Sequence, residues 1–457
     1  MAREPNHRLA ALMREAGVSN KGLAKRVQDV ARQRGIHLGT THVAVQRWLN
    51  GSGIQPQTAA FLASALGEKL RRRLSPADLG FPALSTAPTP AAPSAAYADS
   101  LPDALDAMEA LSHTSPDPGE GGSTLLPDAE VNGAALSWLV SRPDGLRPAG
   151  EDARRVGMRD VAAVRTAAEM FMQLDFKFGG GHGHRALRHY FREDVLPLLR
   201  AHYSEKVGNA LFGAAAEIAQ LLAWSAYDTG NHALADRYLL GTLRLTQVVD
   251  DRMMGARILT NMSHQANYLG QTDRAVRLAR ASVEGGKGRS TPRAMTLFSA
   301  HEARALSTAG DVRGASRAMN EAERHFERAE TGEDPDWLAY MDEAEMIGEF
   351  CHCFRDLGQG AEAVRFAERA VALTDPKYAR TLGFCRLVLA QSHLLNGELE
   401  AAATTATLAV EAGDALQSSR FVRYVRDFQR EVSAHATNPT VREFNERVHV
   451  AMTEMDE

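Results

Sequence analysis

Cysteine is nearly absent from this 457-residue chain, which has only Cys351, Cys353 and Cys385. An odd number without paired C-x-x-C spacing excludes a disulfide framework and the usual structural zinc ligands, and makes a reducing, cytoplasmic setting the expectation. Long apolar runs are missing too. No stretch approaches a membrane span, and "MAREPNHRLAALMREAG" scatters charge through its apolar residues, so neither a membrane partner nor a secretory leader is expected. Positive charge is missing from one long segment, since no Lys or Arg occurs from Ala83 to Ser141. That segment contains "STAPTPAAPSAAYADS" and "HTSPDPGEGGS", whose Pro, Ala, Ser and Gly bury little apolar surface, so 83–148 reads as an acidic tether. Short helices are expected within it at 103–111 and 134–140, where "ALSWLV" is suited to dock on a neighbour.

The charge that is present is unevenly placed. The chain carries a net −5, yet residues 1–82 hold 13 Lys and Arg against 5 Asp and Glu, a net +8, leaving −13 for the rest. A basic head on an acidic body points to a polyanionic partner for the head.

The head shows four helical patterns. Residues 5–16 place Leu9, Leu12 and Met13 on one face; 20–33 place Leu23, Val27, Val30 and Ala31; 56–66 place Ala59, Ala60, Leu62, Ala63 and Leu66. Gly17, Gly35, Gly51 and Gly67 are expected as C-terminal stops of the four. The third helix lies within "TTHVAVQRWLNG", residues 40–51. Its winding puts Ala44, Val45, Trp48 and Leu49 inward and His42, Val43, Gln46, Arg47 and Asn50 outward.

After residue 148 the chain reads as helical to its end, and it repeats. "AWSAYDTGNHALADRYL", "SHQANYLGQTDRAVRLA", "EARALSTAGDVRGASRAM", "CHCFRDLGQGAEAVRFA" and "LAQSHLLNGELEAAATTA" each give an apolar helix, a turn glycine and an alanine five residues later. The glycines are Gly230, Gly270, Gly310, Gly358 and Gly397; the alanines are Ala235, Ala275, Ala315, Ala363 and Ala402. Helix pairs repeating at intervals of 40, 40, 48 and 39 residues stack into a solenoid, because no single pair buries its apolar stripe alone. The fold class is therefore all-α: a small bundle over 1–82, a tether over 83–148 and a helical repeat domain over 149–457.

The repeat grammar resembles the tetratricopeptide repeat over roughly residues 210–412, with further matches at Leu222, Ala223 and Tyr227 and at the small residues Ala322, Ala370 and Ala409. The intervals exceed that family's roughly 34 residues, which implies longer helices or loops. The resemblance implies a concave groove lined by the first helix of each pair, holding a peptide or protein partner. The groove candidates are Trp224, Tyr227, His264, Asn267, Tyr268, Arg304, His352 and Arg355, rich in the aromatic and arginine types that carry interface energy.

The head, from Leu23 to Leu66, resembles the helix-turn-helix of phage-repressor type, in which an "LA" helix precedes a recognition helix ending in Trp, Leu and Gly. That resemblance implies double-stranded DNA as partner, with the second helix of the motif in the major groove. Carried over, Gln46 pairs with adenine, Arg47 with guanine and Val43 with a thymine methyl, beside His42 and Asn50. Thr41 faces a phosphate at the helix start. Lys21, Lys25 and Arg26, with Lys69, Arg71, Arg72 and Arg73, supply backbone contacts. The connection "ARQRGIHLGTT" is longer than the tight turn of the compact motif, so an altered helix angle is expected.

"FKFGGGHGHRALRHYF" offers three glycines and His182, His184 and His189, but it lacks the Lys-Ser/Thr ending of a P-loop and any carboxylate at ligand spacing. A turn at 179–181, ending the helix that carries Val161, Val164, Phe171, Leu174 and Phe178, explains the same residues. "CHC" at 351–353 reads as buried thiols in helix packing. No catalytic residue, metal or cofactor is expected. "VQRWLNG", "DLGFP", "FGGG", "HYF", "VLPLL" and "SHQANYLG" together resemble helix-turn-helix plus tetratricopeptide regulators of filamentous actinobacteria that restrain sporulation and antibiotic production. They imply a transcriptional regulator of differentiation or secondary metabolism, with a sensing or homodimerising repeat domain. The alternative is an interaction scaffold whose head docks protein and never enters a groove.

Overall fold

Apolar spacing within residues 5–70 winds into four helices in the computed structural model. The model describes residues 5–33, 38, 40–52, 54, 56–70, 74, 78–81, 97–113, 124–146, 155–330, 332, 334–413 and 416–456. Two compact units emerge, Met1–Ser94 and Ala95–Glu457. Among the described residues there are helices and turns but no strand beyond an isolated bridge between Arg155 and His202. The fold is all-α, and the larger unit is a solenoid of stacked helix pairs.

The first unit comprises α1 (His7–Glu15), α2 (Asn20–Gln33), α3 (His42–Leu49) and α4 (Pro56–Leu70). Leu9, Leu23, Val27, Val45, Trp48, Leu62 and Leu66 form its core with Leu79 and Phe81. Asn6 caps α1 by accepting from Leu9 N–H at 3.0 Å, and its amide donates to Leu79 O at 2.8 Å. Gly17 and Gly51 close α1 and α3 at φ +61° and +83°, a backbone region that favours glycine. Gly67 does not stop α4. It lies buried inside the helix, which runs on to Leu70. A mid-helix glycine costs about 1 kcal/mol against alanine, and packing by Leu66 and Leu70 on the core overrides it. Gly35 and the side chain of Ala31 lie outside what is described.

The larger unit begins with two helices in the segment expected to be a tether. Helix α5 (Leu101–His113) and α6 (Asp128–Val140) pack on the repeats, each over α11 (His232–Val248), and α6 also over α13 (Thr272–Gly286). The acidic, cation-free composition that suggested a tether is complementary to arginines of the repeat helices. Arg244 donates to Ala98 O at 2.7 Å and pairs with Asp144; Arg274 donates to Leu126 O at 3.1 Å; Arg252 donates to Trp138 O at 2.6 Å; Arg277 pairs with Asp128 at 2.7 Å. "ALSWLV" docks as expected, with Trp138 only 1% exposed.

Next come α7 (Met158–Phe178), α8 (Gly180–Tyr190), a π turn at Phe191–Val195 and α9 (Leu196–Leu199). Five helix pairs follow: α10 (Glu205–Asp228) with α11; α12 (Arg252–Tyr268) with α13; α14 (Pro292–Thr308) with α15 (Val312–Glu327); α16 (Glu343–Asp356) with α17 (Gly360–Leu373); and α18 (Ala379–Leu395) with α19 (Leu399–Gly413). Helices α20 (Ser419–Glu431) and α21 (Pro439–Asp456) complete the array against α18 and α19. All five turn glycines have positive φ, between +69° and +87°, and all five following alanines are fully buried. Their missing bulk lets the paired helices approach closely. Helices of 17 and 15 residues in the second pair account for an interval longer than the tetratricopeptide norm. The 48-residue interval comes from an insertion between α15 and α16 that carries a 3₁₀ turn at Asp336–Leu338.

Candidate functional site

In the first unit, α3 divides as its sequence requires. Val45 and Trp48 are buried and Ala44 and Leu49 half-buried, while Thr41, His42, Val43, Gln46, Arg47 and Asn50 are exposed. Thr41 caps the helix by accepting from Ala44 N–H at 3.4 Å. Gln46 is held from both sides: its carbonyl accepts from Asn20 Nδ2 at 2.8 Å, and its amide donates to Asn50 Oδ1 at 3.1 Å. Gln28 Nε2 donates to Thr40 O at 2.6 Å, tying α2 to the entry of α3. Lys21, Lys25 and Arg26 are exposed on α2 and Lys69 at the end of α4, whereas Arg71, Arg72 and Arg73 lie outside the described residues.

In the larger unit, the first helices of the pairs line a cavity of about 140 Å³. A wider, more open recess of about 540 Å³ shares His264, Arg304 and Tyr424 with it. Trp224, His264, Arg304 and His352 line the cavity, and Asn267, Tyr268 and Arg355 line the recess. Seven of the eight groove candidates therefore gather there. Tyr227 does not: it is 1% exposed and its ring faces the chain's own Arg420 at 4.7 Å.

Arg420 is the residue that sequence reasoning missed. It projects from α20 into the concave side, donating from Nε to Asp228 Oδ1 at 2.8 Å and standing 5.0 Å from the Trp224 ring and 4.8 Å from Phe384. Thus α20, through Arg420 and Tyr424, forms one wall of the cavity, and the groove is not open along its length. A second missed signal was legible as register. Trp224, His264, Arg304 and His352 each stand six residues before a turn glycine, and the positions nine before (Leu221, Asn261, His301, Glu349) line the same cavity. So do Arg257, Leu297, Glu345 and Phe384, thirteen before.

The charges are mostly paired. Glu349 receives Arg304 at 2.9 and 3.1 Å, and that pairing holds its carboxyl below the usual range against burial, which pushes the other way. Burial raises Glu345 to about 8, reinforced by the neighbouring Glu349 and Asp342, so it is protonated at neutral pH. His264, His301 and His352 are pushed down, first by burial, with nearby arginines adding to it. These two classes give opposite pH slopes. Glu345 holds in the fold a proton that the unfolded chain releases near 4.5, so its contribution is complete below 4.5 and drains as pH rises towards 8. The histidines stay neutral in the fold while the unfolded chain protonates near 6.5, so theirs is complete above 6.5 and lost as pH falls. Melting temperatures from pH 5 to 9 should show Glu345→Gln flattening the decline up to about 8 and sparing the acid-side loss; an unchanged decline would refute the assignment.

Of the turn expected at 179–181, only Gly179, at φ +82°, breaks the chain between α7 and α8; Gly180 and Gly181 already belong to the first turn of α8. His184 is buried with Nδ1 2.8 Å from Ser225 Oγ, while His182 and His189 are exposed, so the three do not converge. Cys351 and Cys353 are fully buried, and burial raises the Cys353 thiol to about 12. Among the described residues no group of three or more His, Cys, Asp or Glu is placed to hold a metal ion, and no helix is long and apolar enough to cross a membrane.

A family model described as the SP15 N-terminal domain matches residues 9–82. A search of curated proteins finds no match for the chain.

Proposed function

We propose that this chain is a transcriptional regulator: the basic first unit binds duplex DNA with α3 in the major groove, and the repeat unit senses a partner or forms a homodimer. Control of differentiation or secondary metabolism is the setting implied by the resemblance to actinobacterial regulators. The observation that carries the reading is the split of α3, in which Val45 and Trp48 anchor the helix while Val43, Gln46, Arg47 and Asn50 stand exposed together. A helix so divided, on a unit with net +8 over residues 1–82, suits base-edge contact outward and packing inward. Gln46, held between Asn20 and Asn50, is oriented before any contact is made. Lys21, Lys25 and Arg26 flank this face as phosphate contacts.

Selection of bound sequences from a random duplex pool tests the division of labour. Arg47→Ala should cost about 1–3 kcal/mol on the preferred site and relax preference at one position. Changing Lys21, Lys25 and Arg26 together to alanine should weaken all sequences alike. Equal effects of the two sets would remove the reading role of Arg47.

A further inference from the structure

Among the described residues, Arg257 is the cavity arginine that forms no ion pair, its charge being offset only at longer range by Tyr340 and Glu217. Arg257 is 5% exposed, lines the cavity, and has Nε buried with no hydrogen-bond partner; among the described residues no carboxylate lies within ion-pair distance of it. The other cavity arginines are all matched. Arg304 pairs with Glu349 at 2.9 Å, Arg380 with Asp175 at 2.7 Å and Arg420 with Asp228 at 2.8 Å. Burial lowers the Arg257 pKa, opposed by Tyr340 and Glu217, whereas Glu349 for Arg304, Asp175 for Arg380, and Tyr227 with Asp228 for Arg420 raise the other three against burial. One turn on from Arg257 along α12, Asn261 Nδ2 is also buried without an acceptor. Two residues with an unused donor therefore line the cavity, whose lining also holds Arg380 Nη1, His264 Nδ1, Asp175 Oδ1 and Gln220 Oε1 buried without a hydrogen-bond partner.

The insertion behind the 48-residue repeat interval builds the rest of that wall. Trp337 stacks on the Arg257 guanidinium at 4.3 Å, and Tyr340 enters the cavity lining. Met172, Phe176, Trp224, Leu297 and Phe384 supply an apolar interior. At about 140 Å³ the space compares with the roughly 150 Å³ hole that admits a benzene ring. A buried guanidinium with an unsatisfied edge is matched by a carboxylate, which accepts from it in a charge-assisted pair.

We infer that this cavity is the sensory site of the repeat unit and takes a small organic monoanion, a flat apolar ring bearing one carboxylate, with Arg257 and Asn261 on the carboxylate and the aromatic walls on the ring. The inference rests on the sensing half of the proposed function and names its ligand class. A ligand of this size fits the space left once α20 has closed the groove.

Titration calorimetry of the full chain with benzoate, and with benzamide as the uncharged isostere, tests it. Benzoate should bind one per chain, and benzamide roughly tenfold or more weaker, the scale of a charged hydrogen bond. Arg257→Gln should remove that preference while leaving benzamide binding nearly unchanged, which a merely structural role would not do. Should Arg257→Gln fail to fold, Arg257→Lys keeps the charge without the planar fork and should lower benzoate affinity alone. No binding at millimolar benzoate, equal binding of the two probes, or full benzoate affinity in a folded Arg257 variant would overturn the site. DNA binding by the same preparations separates the two readings. Loss of benzoate binding with intact DNA binding removes only the ligand site, and the converse removes only the regulator.

Discussion

Replacing Asp228 with alanine should destabilise the repeat unit by about 3–5 kcal/mol, the range for removing one partner of a buried ion pair. Asp228 is fully buried, at the end of α10, and accepts from Arg420 Nε at 2.8 Å, Ser418 Oγ at 3.0 Å and Gly180 N–H at 3.0 Å, with Arg380 Nη1 at 3.7 Å. One carboxylate thus joins α8, α10, α18 and α20, its furthest partner lying 192 residues away in sequence. Alanine would leave Arg420 to its aromatic neighbours alone and deprive Arg380 of one of two carboxylates. The Asp228→Asn change keeps an acceptor for Gly180 and Ser418 and should cost less. Urea unfolding followed by near-ultraviolet circular dichroism measures both; a loss below about 1 kcal/mol for alanine, the scale of an exposed pair, would show that α20 is held by packing alone.

Trp138→Ala is the second large effect, with an expected loss of about 3–5 kcal/mol, the range for emptying a core site of an aromatic side chain. The indole is 1% exposed and donates from Nε1 to Thr246 Oγ1 at 3.1 Å, while the Arg252 guanidinium lies 5.0 Å from its ring. Two glycines make room for it: a Cβ on Gly255 would fall 2.3 Å from the ring and one on Gly285 2.2 Å. Gly255→Val should therefore expel the indole and reproduce much of the loss from the opposite side. Limited proteolysis adds a local readout, because release of α6 should expose 124–146 to cleavage before the repeats unfold. If cleavage there is unchanged in a destabilised Trp138→Ala, the segment is held by its arginine contacts and not by the indole.

What the sequence made legible was whatever short-range pattern decides. The turn glycines and buried alanines five residues later set the repeat register, and the Trp48 face of α3 followed from helical spacing alone. The two helices and the docking of "ALSWLV" were legible, but where the segment packs was hidden because its partners, Arg244, Arg252 and Arg274, lie more than a hundred residues downstream, so the acidic stretch around them looked like a tether. Gly67 looked like a helix stop because a local preference of about 1 kcal/mol is visible in sequence and the core that outweighs it is not. The groove candidates were found by type. Their interior neighbours Asn261, His301 and Arg257 were not, although the same register from the turn glycine places them, and nothing local marks Arg420 as the residue that enters the groove.

The claim on which the account stands is that the basic first unit engages duplex DNA through α2 and α3. Equilibrium binding of the full chain to duplex DNA, measured across salt concentration, tests it most directly. The account predicts that the logarithm of the affinity falls linearly with the logarithm of salt, by about 0.9 for each phosphate contacted. Changing Lys21, Lys25 and Arg26 together to alanine should make that slope shallower by up to about three. Absence of binding at low salt, or a slope that the triple change leaves untouched, would contradict it.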